Sequence, residues 1–98
     1  MYFVVFATDK PGMAQARAEA RPTHREYLRQ HDHPVRVRVG GPTFNASAEQ
    51  MNGTMLVIEA DEIKQVHEYL KGDPYQAAGI FESIEVRPWS WGLGLPEE

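Results

Sequence analysis

The stretch Tyr2-Phe3-Val4-Val5-Phe6-Ala7 is apolar on both sides of an extended backbone, with Tyr2, Val4 and Phe6 alternating against Phe3, Val5 and Ala7. A strand covered on both faces belongs in the middle of a sheet. The rest of the chain must therefore supply a neighbour for each of its edges and cover for each of its faces. With 98 residues, 42% of them hydrophobic, the expectation is one core and one domain spanning residues 1–98. A domain this small buries a modest share of its surface and is often marginal alone. Cysteine is absent, which removes disulfides and thiolate metal sites as reinforcement and leaves oligomerisation as the common remedy.

Periodicity and breakers order the remaining elements. Asp9-Lys10-Pro11-Gly12 reads as a turn. From about Met13 to His31, the residues Met13, Ala16, Ala20, His24, Tyr27, Leu28 and His31 recur at three- and four-residue spacing, so they share one helical face. Pro22 lies inside that run. Its missing N–H and crowding ring predict a kink or a restarted helix, with His24 in the first turn after the break. His33-Pro34 ends the helix. Val35, Val37 and Val39 alternate with Arg36 and Arg38, the pattern of a strand with one wet face, and Gly40-Gly41-Pro42 closes it. Thr43 to Asn52 reads as a polar loop anchored by Phe44 and Met51.

Thr54 to Ala60 is a third strand. Asp61 is a good N-cap for a second helix, Glu62 to Lys71, with Ile63, Val66, His67 and Leu70 as its apolar stripe. Gly72 is placed to end that helix in a left-handed conformation. Ile80 to about Trp89 is the last strand, with Ile84 and Val86 facing inward. The core thus spans about residues 1–89, and residues 90–98 form a loop tail.

The order is β-α-β-β-α-β. With right-handed crossovers it gives an α+β fold, a ferredoxin-like sandwich in which two helices cover one face of an antiparallel sheet. The opposite face then carries apolar side chains from the first and last strands. Such a face is a sticky patch when left in water, which predicts a homodimer packed through the open sheet face.

Charge and hydropathy exclude some function classes. A net charge of −4 and a pI near 5.5 argue against a general nucleic-acid surface. No apolar run approaches the ~18 residues needed to cross a bilayer. Met1 to Phe6 is too short for a secretory signal and has no basic lead-in. The expected location is cytoplasmic, with no nucleic-acid or membrane partner.

Two side chains carry acid–base potential. His24 lies on the apolar stripe of the first helix, and Asp73 lies in Gly72-Asp73-Pro74-Tyr75, just after the second. A carboxylate on the far nitrogen of an imidazole fixes its tautomer and orientation. Such a base takes protons from phenols, enols or carbons next to a carbonyl. The competing reading is structural, with Asp73 capping the Pro74–Ala78 turn and His24 a satisfied buried polar group.

The chain also resembles the YciI-like (YCII-related) family of the dimeric α+β barrel superfamily. The matching pieces are Met1 to Pro11, Arg21-Pro22-Thr23-His24, Gly41-Pro42, Asp73-Pro74-Tyr75 with Ala78-Gly79-Ile80-Phe81, and Val86-Arg87-Pro88-Trp89. The resemblance implies a ferredoxin-like protomer, a dimer, and His24 with Asp73 as a catalytic pair. One branch of the family is associated with dehydrochlorination of chlorinated hydroxyhydroquinones. The chain departs from the family pattern at His31-Asp32-His33-Pro34 and in having Arg36 and Arg38.

Other candidates carry weaker signals. Arg36 and Arg38 are placed to hold a carboxylate or phenolate oxygen, or to pair with Glu82 or Glu85 at a solvated edge. Tyr75, beside Asp73, is the aromatic residue expected to touch a ligand. Phe81 and Trp89 read as core or dimer packing. His31-x-His33 has a metal-ligand spacing but straddles a helix end, and His67 reads as a satisfied core or groove histidine, so no metal site is assigned. Gly40-Gly41-Pro42 lacks the lysine and helix start of a phosphate loop. The sequence thus yields two main functional hypotheses, beside a third reading as an oxygenase-like relative needing no cofactor. One is a cofactor-independent enzyme performing elimination, isomerisation or hydrolysis on a small, cyclic, oxygenated metabolite. The other is a non-catalytic dimeric module that binds a small molecule or partner.

Overall fold

In the computed structural model, which describes residues 1–94, the both-faced apolar stretch is strand β1 (Tyr2–Asp9), paired antiparallel on one side with β3 (Met51–Glu59) and on the other with β4 (Phe81–Trp89). Strand β2 (Arg36–Phe44) flanks β3, so the sheet order is β2-β3-β1-β4. Helix α1 (Ala14–Arg29) connects β1 to β2, and α2 (Ile63–Lys71) with the short α3 (Pro74–Ala77) connects β3 to β4. The fold is α+β and ferredoxin-like. Of the expected tail, residues 95–98 lie outside the described residues.

Register explains which residues form the core. Phe3 pairs with Ile58, and Val5 with Leu56 and Val86. Partners across a ladder share a face, and this face meets Val66, Tyr69 and Leu70 of α2 and Tyr27 and Leu28 of α1. Each large apolar side chain buried there contributes about 1.5–3 kcal/mol. Ile84 and Val86 pack against the same cluster, as their inward placement requires. The other face presents Val4, Phe6, Met55 and Val57 in cross-strand contact, with Phe6 still 47% exposed.

Several local expectations are corrected. Helix α1 runs through Pro22 without a restart. Pro22 and Ala18, whose carbonyl loses its helical donor, both face outward, so the break falls on the solvent side, where it is cheapest. The N-cap of α2 is Glu62 instead of Asp61. Its carboxylate and the Gln65 side chain form a reciprocal capping box, with Gln65 Oε1 accepting from the amides of Glu62 and Asp61. His67 points out to solvent, away from the buried Val66, Tyr69 and Leu70.

Strand β2 continues through Gly40-Gly41-Pro42 to Phe44. Pro42 is tolerated because β2 is an edge strand. The loop expected from Thr43 shrinks to residues 45–50, and Met51 and Asn52 begin β3. Gly72 has right-handed angles, φ −89° and ψ −3°. Its missing side chain serves space instead, since a Cβ there would stand 2.5 Å from the Tyr27 hydroxyl. That hydroxyl donates to the Tyr69 carbonyl at 2.6 Å, and the two rings stack with centroids 4.7 Å apart, tying α1 to α2. Burial, followed by the charge of Asp73 and then of Asp32, pushes the Tyr27 phenol pKa up. Burial also raises that of Tyr69, with Tyr27 and Asp73 adding to it. The left-handed glycine of this region is Gly79, φ +70°, which releases the chain from α3 into β4.

The tightest backbone approach in the sheet is at Gly53, where a Cβ would lie 2.3 Å from the Ala7 carbonyl oxygen. Gly53→Ala therefore has to pry β1 from β3. Urea unfolding is expected to show a loss of about 1–3 kcal/mol, against little change for Gly41→Ala, whose added Cβ meets nothing within 4 Å.

Candidate functional site

His24 and Asp73, 49 positions apart, meet. The imidazole Nδ1 lies 2.7 Å from Asp73 Oδ1, and both groups are buried, at 5% and 1% exposure. The local sequence explains how the carboxylate is held. Asp73 is the N-cap of α3, its Oδ1 accepts the Tyr75 amide at 2.9 Å, and Pro74 occupies the first helical position, where its fixed φ and absent N–H do no harm. One oxygen thus serves the cap and the imidazole together. The structural and chemical readings of Asp73 describe the same bond geometry.

Tyr75 is buried and lies flat on His24, with ring centroids 3.7 Å apart and planes within 6°. Its other neighbours include Phe81, edge-on at 6.0 Å, and the guanidinium carbon of Arg17, 4.7 Å from the ring centroid. Stacking by Tyr75 and the Asp73 bond together fix the imidazole plane. With Nδ1 engaged by Asp73, Nε2 is the nitrogen left for a ligand.

His24 and Tyr75 line a cleft of about 380 Å³ between α1 and the edge strand β2. Its apolar wall includes Leu28, Val37 and Met51, and its floor includes Thr54. Arg38 lines this cleft while its guanidinium binds Glu59 at 2.8 Å; the expected partners Glu82 and Glu85 lie on β4, beyond β1. Arg36 does not line the cleft. The β2–β3 register shifts between Val37 and Val39, and this bulge breaks the simple alternation expected of Arg36 and Arg38. Among the described residues no group of three or more His, Asp or Glu side chains could hold a metal. His33 packs edge-on against Tyr27 and Tyr69 and bonds Gln30 at 3.1 Å.

Sequence reasoning missed Arg17. This side chain, 4% exposed, bonds Asp9 Oδ2 through Nε at 2.9 Å and donates through Nη2 to Thr54 Oγ1 at 2.5 Å and to the Gly53 carbonyl. Asp9 Oδ1 is buried with no hydrogen-bond partner among the described residues, so the carboxylate depends on Arg17. The signal was present in the spacing of Arg17, Arg21, Arg25 and Arg29, four residues apart on one helix, all of which line the cleft.

Removing one member of a buried ion pair strands the other. Arg17→Met is expected to cost about 3–5 kcal/mol in chemical denaturation, and Arg17→Met combined with Asp9→Leu should recover much of that loss. Equal stability of the single variant and the parent would contradict the burial of this pair.

The comparisons with known proteins agree with this architecture. The model of the YCII-related domain matches residues 1–90. Protein YciI of Escherichia coli is 27% identical over 94 residues, covering 91% of this chain and 96% of the relative, and an uncharacterized protein of Haemophilus influenzae is similar to the same extent. Among solved structures, 5-chloro-2-hydroxyhydroquinone dehydrochlorinase (TftG) from Burkholderia phenoliruptrix, in complex with 2,5-dihydroxybenzoquinone, superposes with a TM-score of 0.80 at 32% identity, covering 92% of this chain and 94% of that one. With the family model matching nearly its whole length, this chain belongs to the YCII-related family.

Proposed function

We propose that this protein is an acid–base enzyme acting on a small oxygenated ring compound, with His24 as the proton-transferring group and Asp73 as the group that orients it. The observation that carries this reading is the 2.7 Å contact between buried His24 and buried Asp73 at the wall of a cleft. A purely structural pair has no need of such a cleft. The similarity to a dehydrochlorinase bound to a dihydroxybenzoquinone supports the choice of a ring substrate and of an elimination.

In this reading Nδ1–H donates to Asp73 and the Nε2 lone pair faces the substrate. Nε2 takes a proton from a ring hydroxyl or from a ring carbon beside a carbonyl. In an elimination the electron pair freed by that C–H bond forms the new double bond, and chloride leaves with the electrons of the C–Cl bond. The imidazolium, neutralised by Asp73, then passes the proton to water, so the substrate has lost one HCl. Tyr75, buried with its ring stacked on His24, holds the imidazole plane while the substrate meets Nε2. Each of these steps uses only groups of this chain and water.

The protomer is proposed to work as a homodimer in the cytoplasm, joined through the open sheet face. Phe6, 47% exposed on the open face and paired with Met55 of β3, supports this, because exposed apolar surface on a sheet face marks interaction sites. A small-molecule ligand in the cleft is part of the same reading.

The test is turnover of a panel of chlorinated hydroquinols, lactones and thioesters, read as chloride release and product absorbance. His24→Ala is expected to lower kcat/KM by roughly 100- to 10,000-fold with an unchanged circular dichroism spectrum. Full activity in His24→Ala would contradict the assignment. Tight binding of ring compounds with no turnover by the parent would favour the non-catalytic binding module.

A further inference from the structure

Five of the seven arginines of this acidic chain line one cleft, and among the described residues no Asp or Glu lines it with them. Two of the five are engaged by carboxylates: Arg17 by Asp9 and Arg38 by Glu59. Arg21, Arg25 and Arg29 have no carboxylate partner among the described residues. The two acidic residues of α1, Glu19 and Glu26, form no ion pair with them, and Glu19 instead accepts from Gln15. Arg21 is half-buried, and the contact its guanidinium makes is to the Met51 sulfur at 3.6 Å, a weak acceptor.

This arrangement costs the free protein something. Like charges four apart on a helix repel by about 0.2–0.5 kcal/mol per pair, and α1 carries three such steps in a row from Arg17 to Arg29. A partly desolvated guanidinium facing a thioether also lacks the hydrogen bonds it had in water. An anion in the cleft relieves both. The guanidinium fork matches a carboxylate in two parallel bonds. Arg21 lies three residues before His24, a spacing that makes them neighbours on the helix surface. The apolar wall of Leu28, Val37 and Met51 suits the hydrocarbon of a ring, and a cleft of about 380 Å³ is in the range of small-molecule sites.

We infer that the ligand of this cleft is a ring compound bearing a carboxylate, held by Arg21 and Arg25 while the ring lies against the apolar wall with its edge toward His24. Residues four apart rise ~6 Å along a helix, so a second anionic substituent across the ring reaches the next arginine. The expected order of affinity is dicarboxylate, then monocarboxylate, then neutral diol. The inference deepens the acid–base reading by naming the substrate class and rests on it for the orientation of the ring.

The experiment is calorimetric titration of the parent protein with benzene-1,4-dicarboxylate, benzoate, hydroquinone and phenyl phosphate. The two carboxylates should bind more tightly than hydroquinone and weaken as salt rises from about 0.05 M to about 0.5 M. Arg21→Gln, and separately the more exposed Arg25→Gln, should each weaken carboxylate binding about ten- to a hundredfold and leave hydroquinone unchanged. Hydroquinone binding as tightly as benzoate, tighter binding of phenyl phosphate than of the carboxylates, or indifference of both arginine variants would overturn the inference. His24→Ala separates the two claims. Retained carboxylate binding supports the substrate class whatever happens to turnover, and loss of turnover alone bears on the catalytic reading.

Discussion

A single carboxylate oxygen, Asp73 Oδ1, accepts from the His24 imidazole and from the Tyr75 amide at once. That convergence joins the two halves of the chain. The amide bond starts α3, which aims the Tyr75 ring, and the imidazole bond holds α1 against that turn. Burying a carboxylate is costly unless donors reach it, so the cap and the imidazole stabilise the same charge. The Tyr75 ring then stacks on His24 and closes the arrangement. Moving any one of the three shifts the other two, which makes the imidazole plane a property of the fold.

A second buried charge supports the same region from the sheet side. Arg17 reaches from α1 to Asp9 at the end of β1 and to Gly53 and Thr54 of β3. It also lies against the Tyr75 ring. The Arg17–Asp9 ion pair and the His24–Asp73 hydrogen bond thus fasten α1 to the sheet and to α3. Between them the helix presents guanidinium groups to the cleft. The cleft is cationic in a protein whose net charge is −4, so its field is local and comes from the four-residue spacing of one helix.

Much of this was legible in the sequence because the relevant signals are short-range. The double alternation of Tyr2 to Ala7 required a central strand, and β1 has neighbours on both edges. Asp73-Pro74 marked a capped turn, which the fold winds into the short helix α3. His24 stood out as a polar group on an apolar stripe. What periodicity could not show depends on long-range contacts. Arg17 looks like a solvated charge until Asp9, Gly53 and Thr54 surround it. Arg36 pairs with Glu59, on the face that Tyr2 shares, and pairing partners are invisible to local pattern. Gly72 was read for backbone handedness, whereas its role is to admit the Tyr27 hydroxyl, a contact across 45 positions of chain. Pro22 was read as a break, and its outward orientation in the fold makes that break harmless.

The central claim is that Asp73 sets the tautomer of His24. Long-range proton–nitrogen correlation spectra of the neutral imidazole test it most directly. The account predicts that the His24 ring proton resides on Nδ1, with Nε2 unprotonated, and that the Nδ1 resonance moves in Asp73→Asn. A ring proton found on Nε2 in the parent protein, with Nδ1 bare beside the carboxylate, would contradict it.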